Sequence, residues 1–181
     1  MIFCEGEASE PDYINAVKRL PQVQRNVAVN IEIDPERGVP LTLVERAVAR
    51  LKSDAEIDEC WCVFDVEWPR HHPNLDRALR MAKTNGIKLA ISTPCFELWL
   101  ILHFQDQTAF LDNRTAESLS RRLEGRTGKR IDGSKYLPLR RDASKRAAAL
   151  VDRHRRDQTV FPNDNPSSTM HELLATIEPS S

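Results

Sequence analysis

Glu59-Cys60-Trp61-Cys62-Val63-Phe64-Asp65 is almost continuously apolar between its two acids. Such a run, with no polar alternation, is the pattern of a strand buried on both faces at the centre of a parallel sheet. Its last residue, Asp65, then stands at the carboxyl edge of that sheet, where ligands bind in open α/β folds. Upstream, Ile2-Phe3-Cys4 reads as a short strand, followed by the turn Glu5-Gly6-Glu7. A helix from Ser9 or Glu10 to Leu20 comes next, with Ser9 as N-cap and Pro11 tolerated in the first turn. Residues 27–33 alternate apolar and polar and predict a strand; Pro35 and Gly38 mark the loop after it. Thr42 with Glu45 is a capping box opening a helix to Lys52. Downstream, Asn74 caps a helix through Lys83 that Asn85-Gly86 stops, and residues 87–91 are again a strand. Residues 96–104 predict a buried helix, too short to span a bilayer. Strands alternating with helices make an α/β, Rossmann-like fold: a mainly parallel sheet with flanking helices.

Past Asp106 the strand signals stop. Helices are predicted over 115–124 and 142–156, separated by a basic glycine-containing loop at 125–134. A loop at 161–168 leads to a last helix, opened by a Thr169/Glu172 capping box and ending at Ile177. The chain therefore divides into an α/β core, residues 1–113, and a helical appendage, residues 114–181. Charge divides the same way. The 181 residues carry a net charge of -1, yet residues 1–113 hold 12 basic and 18 acidic side chains, and residues 114–156 hold 14 and 5. Residues 157–181 hold 4 acids and no Lys or Arg. An acidic front suits cation binding and a basic back suits a polyanion, with Lys135, Arg140, Arg141, Lys145 and Arg146 as candidates to grip nucleic acid.

Mean hydropathy is -0.49, and no apolar run approaches the ~20 residues of a membrane span. No signal peptide is readable at the N-terminus, so the expectation is a cytoplasmic protein with no membrane partner. Cys4, Cys60, Cys62 and Cys95 lie in apolar stretches and read as small hydrophobes, Cys60 and Cys62 on one side of their strand. Structural zinc would need a second close pair.

Glu5 follows the first strand, Asp65 ends the central one, and Glu67 lies two residues on, on the same side if the chain stays extended. Carboxylates gathered at one sheet edge repel one another unless a divalent metal neutralises them. Glu97 is the only carboxylate or cation between Lys88 and Asp106, in an otherwise apolar helix. It must be paired, ligate a metal or hold its proton. His103 reads more readily as a core histidine than as a site residue. Trp68, Arg70, His71 and His72 follow the acidic pair and could reach substrate.

Four blocks in order resemble the signatures of RloB-like proteins: residues 2–13, Trp61-Cys62-Val63-Phe64-Asp65, residues 94–104 and residues 165–171. The family is similar to Toprim enzymes, the fold of topoisomerase, primase and OLD-type nuclease domains. Glu5-Gly6 matches the Toprim Glu-Gly after the first strand, and Asp65-Val66-Glu67 its acidic pair, although that pair more often ends in Asp. Family members carry residues ahead of the first strand, which implies an upstream start or a trimmed sheet edge here. The resemblance implies an Mg²⁺- or Mn²⁺-dependent nuclease with Glu5, Asp65, Glu67 and Glu97 catalytic. Glu5, Asp65 and Glu67 would be the metal ligands, and Glu97, Glu10 or Glu7 would serve a second ion. It implies an effector of phage defence and abortive infection, partnered by an ATPase, acting on DNA or on RNA, tRNA included. Homo-oligomers could form through the sheet edge or the C-terminal helices. The competing classes are a non-catalytic Toprim-shaped binding or regulatory subunit and another Toprim chemistry such as nucleotidyl transfer. Topoisomerase action needs gating domains that 181 residues, with only Tyr13 and Tyr136, cannot supply.

Overall fold

The computed structural model describes residues 1–26 and 30–178. In chain order the elements are β1 (Ile2–Cys4), α1 (Ser9–Lys18), α2 (Pro21–Arg25), α3 (Pro40–Ser53), β2 (Trp61–Asp65), α4 (Leu75–Asn85), β3 (Lys88–Thr93) and α5 (Glu97–Phe104). They continue with α6 (Asn113–Glu124), α7 (Gly133–Tyr136), a 3-10 turn (Leu137–Leu139), α8 (Arg140–Arg156), β4 (Ser167–Ser168) and α9 (Met170–Ile177). The sheet order is β1-β2-β3-β4. The first three strands are parallel, with Cys4 opposite Val63 and Asp65 opposite Ser92, and β4 runs antiparallel to β3. This is the α/β architecture the alternating pattern predicts.

Side chains of successive strand residues leave the sheet on opposite faces. Phe3, Cys62 and Phe64 pack with Leu43, Val44 and Ala47 of α3 and Ala78 and Ala82 of α4. Cys60 joins Cys62 in that layer, as their spacing implies. On the other face Ile2, Cys4, Trp61, Val63 and Ala90 meet α1, α5, α8 and α9. Helix α5 is buried between its two ends: residues 98–103 are all buried, Trp99 completely. Ala116, Tyr136, Ala143, Leu150 and Ile177 share this apolar cluster with Ile2 and Tyr13, so the basic half and the α/β half close one core. No described helix is long and apolar enough to cross a membrane.

Several local expectations change. Of the strand expected at 27–33, residues 27–29 lie outside the described residues. The remainder joins the sheet edge by one parallel bridge, Ile2 to Ile33, with Ile2 N–H donating to Glu32 O at 2.8 Å. Strand β4 lies in the loop expected at 161–168: two serines carry no hydrophobic period, and a hydroxyl pair, Ser92 to Ser168 at 3.0 Å, helps seat them. Ser9 lies inside α1 and donates to Lys129 O at 2.9 Å, leaving Ala8 at the N-cap. Helix α3 starts at Pro40, ahead of Thr42. Thr169 does precede α9, but its hydroxyl accepts the Ile91 N–H at 2.8 Å, fastening the helix to β3 instead of closing a capping box. For Ser9, β4 and Thr169 a partner distant in sequence outcompetes the local one. Gly86, at φ 69°, ends α4 as expected.

His103 belongs to the core. Its Nδ1–H donates to Trp99 O at 2.8 Å, and Nε2 accepts the Tyr13 hydroxyl at 3.0 Å. Burial holds the ring neutral and pulls its pKa from 6.5 down to about 4. The unfolded chain takes up this proton below pH 6.5 and the folded protein does not until near 4, so stability is lost as pH falls through that window. The loss is on the order of 3–4 kcal/mol, at ~1.4 kcal/mol per pKa unit. His103→Gln keeps a donor and an acceptor without this titration, so its stability deficit relative to wild type narrows between pH 7 and 4.5 in urea unfolding. A deficit that stays constant would show the ring titrating alike in both states.

Candidate active site

The parallel register brings the ends of β1 and β2 to one edge. Glu5 N–H continues the ladder by donating to Val63 O at 3.0 Å. The Glu5 carboxylate then turns onto β2, where Oε2 accepts the Asp65 N–H at 3.0 Å, while Oε1 lies 2.6 Å from His72 Nε2. Glu10, in the first turn of α1, is buried, and its Oε1 accepts the Gly6 N–H at 3.1 Å. That fit needs glycine: a Cβ on Gly6 would stand 2.0 Å from Glu10 Oε2. Glu97 opens α5, just past the turn that follows β3. All four line a cavity of about 340 Å³, with Glu7 and Glu67 also on its wall.

The carboxylates act on one another. Burial, then Glu10, Glu5 and Glu97, push the Asp65 carboxyl well above the ordinary range. Burial, with Glu97 and Glu5, raises Glu10 to about 7 against the opposing Gly6 N–H. The central group is therefore Glu5, Glu10, Asp65 and Glu97.

Glu67 lines the same cavity as Glu5 and Asp65, as expected, but by another route, because the chain does not stay extended. The strand stops at Asp65, Val66 turns into the core, and Glu67 adopts φ 69°. Its carboxylate accepts a hydrogen bond from Asn113 Nδ2. Burial raises its pKa, with His72 and Asn113 opposing and Glu5 adding. Glu7 is exposed at the cavity's mouth. His72 is drawn to Glu5, whose hydrogen bond raises the imidazole's pKa, and His71 lies against Trp68 with ring centroids 5.5 Å apart.

Among the described residues, none of the five cations expected to grip nucleic acid lines the cavity. Lys135 donates to Glu124 O at 2.8 Å, Arg140 forks onto Glu178 with Nε–Oε2 2.7 Å, and Arg146 donates to Leu102 O at 2.7 Å. Arg141 and Lys145 are exposed. The cavity is lined instead by Arg121 and Lys129. Arg126, nearly buried, lies 3.9 Å from Glu97 and 2.6 Å from Glu124. Their basic stretch was visible in the sequence. Its fold-back was not, because it rests on distant contacts such as Arg130 to Asp12 at 2.8 Å.

All-oxygen donors in excess of nearby positive charge suit a hard divalent cation such as Mg²⁺ or Mn²⁺. Among the described residues no three His, Cys, Asp or Glu side chains already surround one point. Glu5, Glu10 and Glu67 are each turned onto a protein donor.

Fold and site together define an α/β protein with an acidic cavity at the carboxyl edge of a parallel sheet. The family model described as RloB-like protein matches residues 1–177, and the chain belongs to that family. No curated protein and no solved structure matches it.

Asp65→Asn removes a carboxyl whose folded pKa is raised. Such a group lowers stability at high pH, and the deficit closes as pH falls through the folded value. In EDTA the variant melts above wild type at pH 8, by about 2–4 °C for each kcal/mol recovered, and the gain shrinks toward pH 5. Scanning fluorimetry reads both; a variant that melts lower at pH 8 would contradict the repulsion.

Proposed function

We propose that the chain is a metal-dependent nuclease of Toprim-like architecture that hydrolyses phosphodiester bonds in RNA, tRNA included, or in DNA. Its setting is phage defence in the cytoplasm, alongside an ATPase subunit. One observation carries the reading: Glu5, Glu10, Asp65 and Glu97 converge in a single cavity that Arg121 and Lys129 also line. The Glu-Gly after β1 and the acid-x-acid after β2 support the Toprim likeness, and the RloB-like membership supports the defence setting.

Glu5 and Asp65, with Glu97 beside them, are the residues that would hold Mg²⁺ or Mn²⁺. Once bound, the ion supplies charge neutralisation, polarisation of the phosphodiester and a lowered pKa for an attacking water. The chain's own groups do the rest. Asp65 N–H and His72 fix the Glu5 carboxylate, and Gly6 N–H fixes that of Glu10. Glu10, raised to about 7, sits where a carboxylate can accept a proton at neutral pH. Arg121 and Lys129 offer positive charge to backbone phosphates.

The test incubates the protein, with and without its neighbouring ATPase, with total RNA and with DNA in Mg²⁺ or Mn²⁺. Cleavage is expected that EDTA stops and that Asp65→Asn lowers by at least about a hundredfold. Equal cleavage by wild type and Asp65→Asn would sink the assignment. The engagement of the carboxylates with protein donors favours a second reading, a non-catalytic subunit, for which neither protein cleaves and both protect against phage equally.

Arg121→Ala with Lys129→Ala is expected to weaken binding to all sequences alike, because phosphate contacts carry no base information. Each lost contact lowers the salt slope by about 0.7–0.9. Anisotropy across a salt series measures it, and an unchanged slope would take these two residues out of the phosphate path.

A further inference from the structure

Beyond β2, two aromatic rings, Trp68 and Phe110, pair next to residues that line the acidic cavity. Trp68 is half-buried and meets Phe110 edge to face, with centroids 5.2 Å apart and planes at 84°. Phe110 is 56% exposed, one of few large apolar side chains so open among the described residues. A single amide ties the Trp68 backbone to the acids. Asn113 Oδ1 accepts the Trp68 N–H at 2.9 Å, and Asn113 Nδ2 donates to Glu67. Asn113 and Glu67 both line the cavity. Arg70 and Arg114, neighbours in sequence of Trp68 and Asn113, are exposed.

An aromatic pair held by a backbone hydrogen bond, with Phe110 open to solvent and exposed arginines close by in sequence, is unusual for a surface that only excludes water. Aromatic faces with nearby cations are how proteins hold single-stranded nucleic acid, because every unpaired base offers a π-face. A duplex keeps those faces inside its own stack. Arg121 and Lys129 line the wall of the acidic cavity and carry the positive charge a neighbouring phosphate would need.

We propose that Trp68 and Phe110 form a stacking platform for an unpaired nucleobase, making a single strand or loop of nucleic acid the substrate class of the acidic cavity. The platform's purpose rests on the nuclease reading of the cavity; its binding of a base does not.

Trp68 gives the test its signal, since Trp61 and Trp99 are only 5% and 0% exposed. In EDTA, where no metal-dependent hydrolysis occurs, wild-type protein is titrated with short single-stranded RNA, single-stranded DNA and a blunt duplex of the same sequence. Either single strand is expected to quench tryptophan fluorescence to saturation, and the duplex to quench far less. The two single-stranded arms show whether the 2′-hydroxyl matters. Trp68→Leu and, separately, Phe110→Ala are expected to raise the single-strand Kd at least about fivefold by anisotropy, the lower range for one stacked base. The exposed Phe110 provides the second variant should Trp68→Leu fold poorly.

Equal affinity for duplex and single strand, or unchanged affinity in Phe110→Ala and in folded Trp68→Leu, would overturn the platform. So would the absence of quenching by every oligonucleotide together with loss of ATPase co-purification in the variants, which would make the rings a protein-docking surface. Saturable single-strand quenching without any metal-dependent cleavage would instead leave the platform standing and remove the nuclease reading.

Discussion

Strand β2 is paired along both edges and covered on both faces, and this constraint sets where Glu5 and Asp65 leave the sheet. Val63 lies opposite Cys4 on one side and Asp65 opposite Ser92 on the other. Trp61 and Val63 face one apolar layer, Cys62 and Phe64 the other. A slip of one residue would exchange the two layers, so the register is locked by burial as well as by hydrogen bonds. With the register locked, Glu5 and Asp65 must emerge together at the edge. Helix α5 follows from the same packing: with residues 98–103 buried, its first residue, Glu97, is carried to the wall of the same cavity.

Bringing like charges together costs stability, and the local structure shows how that cost is contained. Backbone N–H groups of Asp65 and Gly6 bind the carboxylates of Glu5 and Glu10, His72 lies against Glu5, and Arg126 approaches Glu97. Burial first, and then the residual repulsion, appear as protons held more tightly on Asp65 and Glu10. A core built only for stability would replace these groups with apolar side chains. Clustered groups with perturbed pKa values are more common at functional sites, where the repulsion is relieved by a bound cation or used in proton transfer.

The parts legible in the sequence were those in which neighbouring residues decide the outcome. The apolar run ending at Asp65, the Glu5-Gly6 turn and the buried helix behind Glu97 each announce themselves within ten residues. The Glu10 carboxylate on Gly6 also spans only four residues, and glycine ahead of an acid in a first helical turn was a readable signal for it. Distant contacts were not legible. Glu67 lies out of line with Asp65 because the strand ends and its φ becomes positive, and its carboxylate is held by Asn113, 46 residues away. Strand β4 consists of two serines whose pairing is recognisable only once β3 is present.

The excess of positive charge after residue 113 shows the same limit more sharply. Composition gives its sign and place but not its distribution between jobs. Arg140 and Arg146 sit on the one helix whose charge looks most like a nucleic-acid grip, yet both are part of the structure. Arg140 binds Glu178 just past α9, and Arg146 caps the carbonyls at the end of α5 and adds Asp106. The ends of α5 and α9 expose backbone oxygens and carry partial negative charge, so guanidinium groups there stabilise the packing of α8 against its neighbours. The cations left for a polyanion are therefore those that the packing does not consume. Lys129 reaches the acidic cavity because the segment after α6 is fastened back onto α1 through Ser9 and Asp12, whereas Arg121 reaches it from α6 itself and pairs there with Glu117 at 2.9 Å. The Ser9 and Asp12 contacts, more than the total charge, stand Lys129 beside the carboxylates.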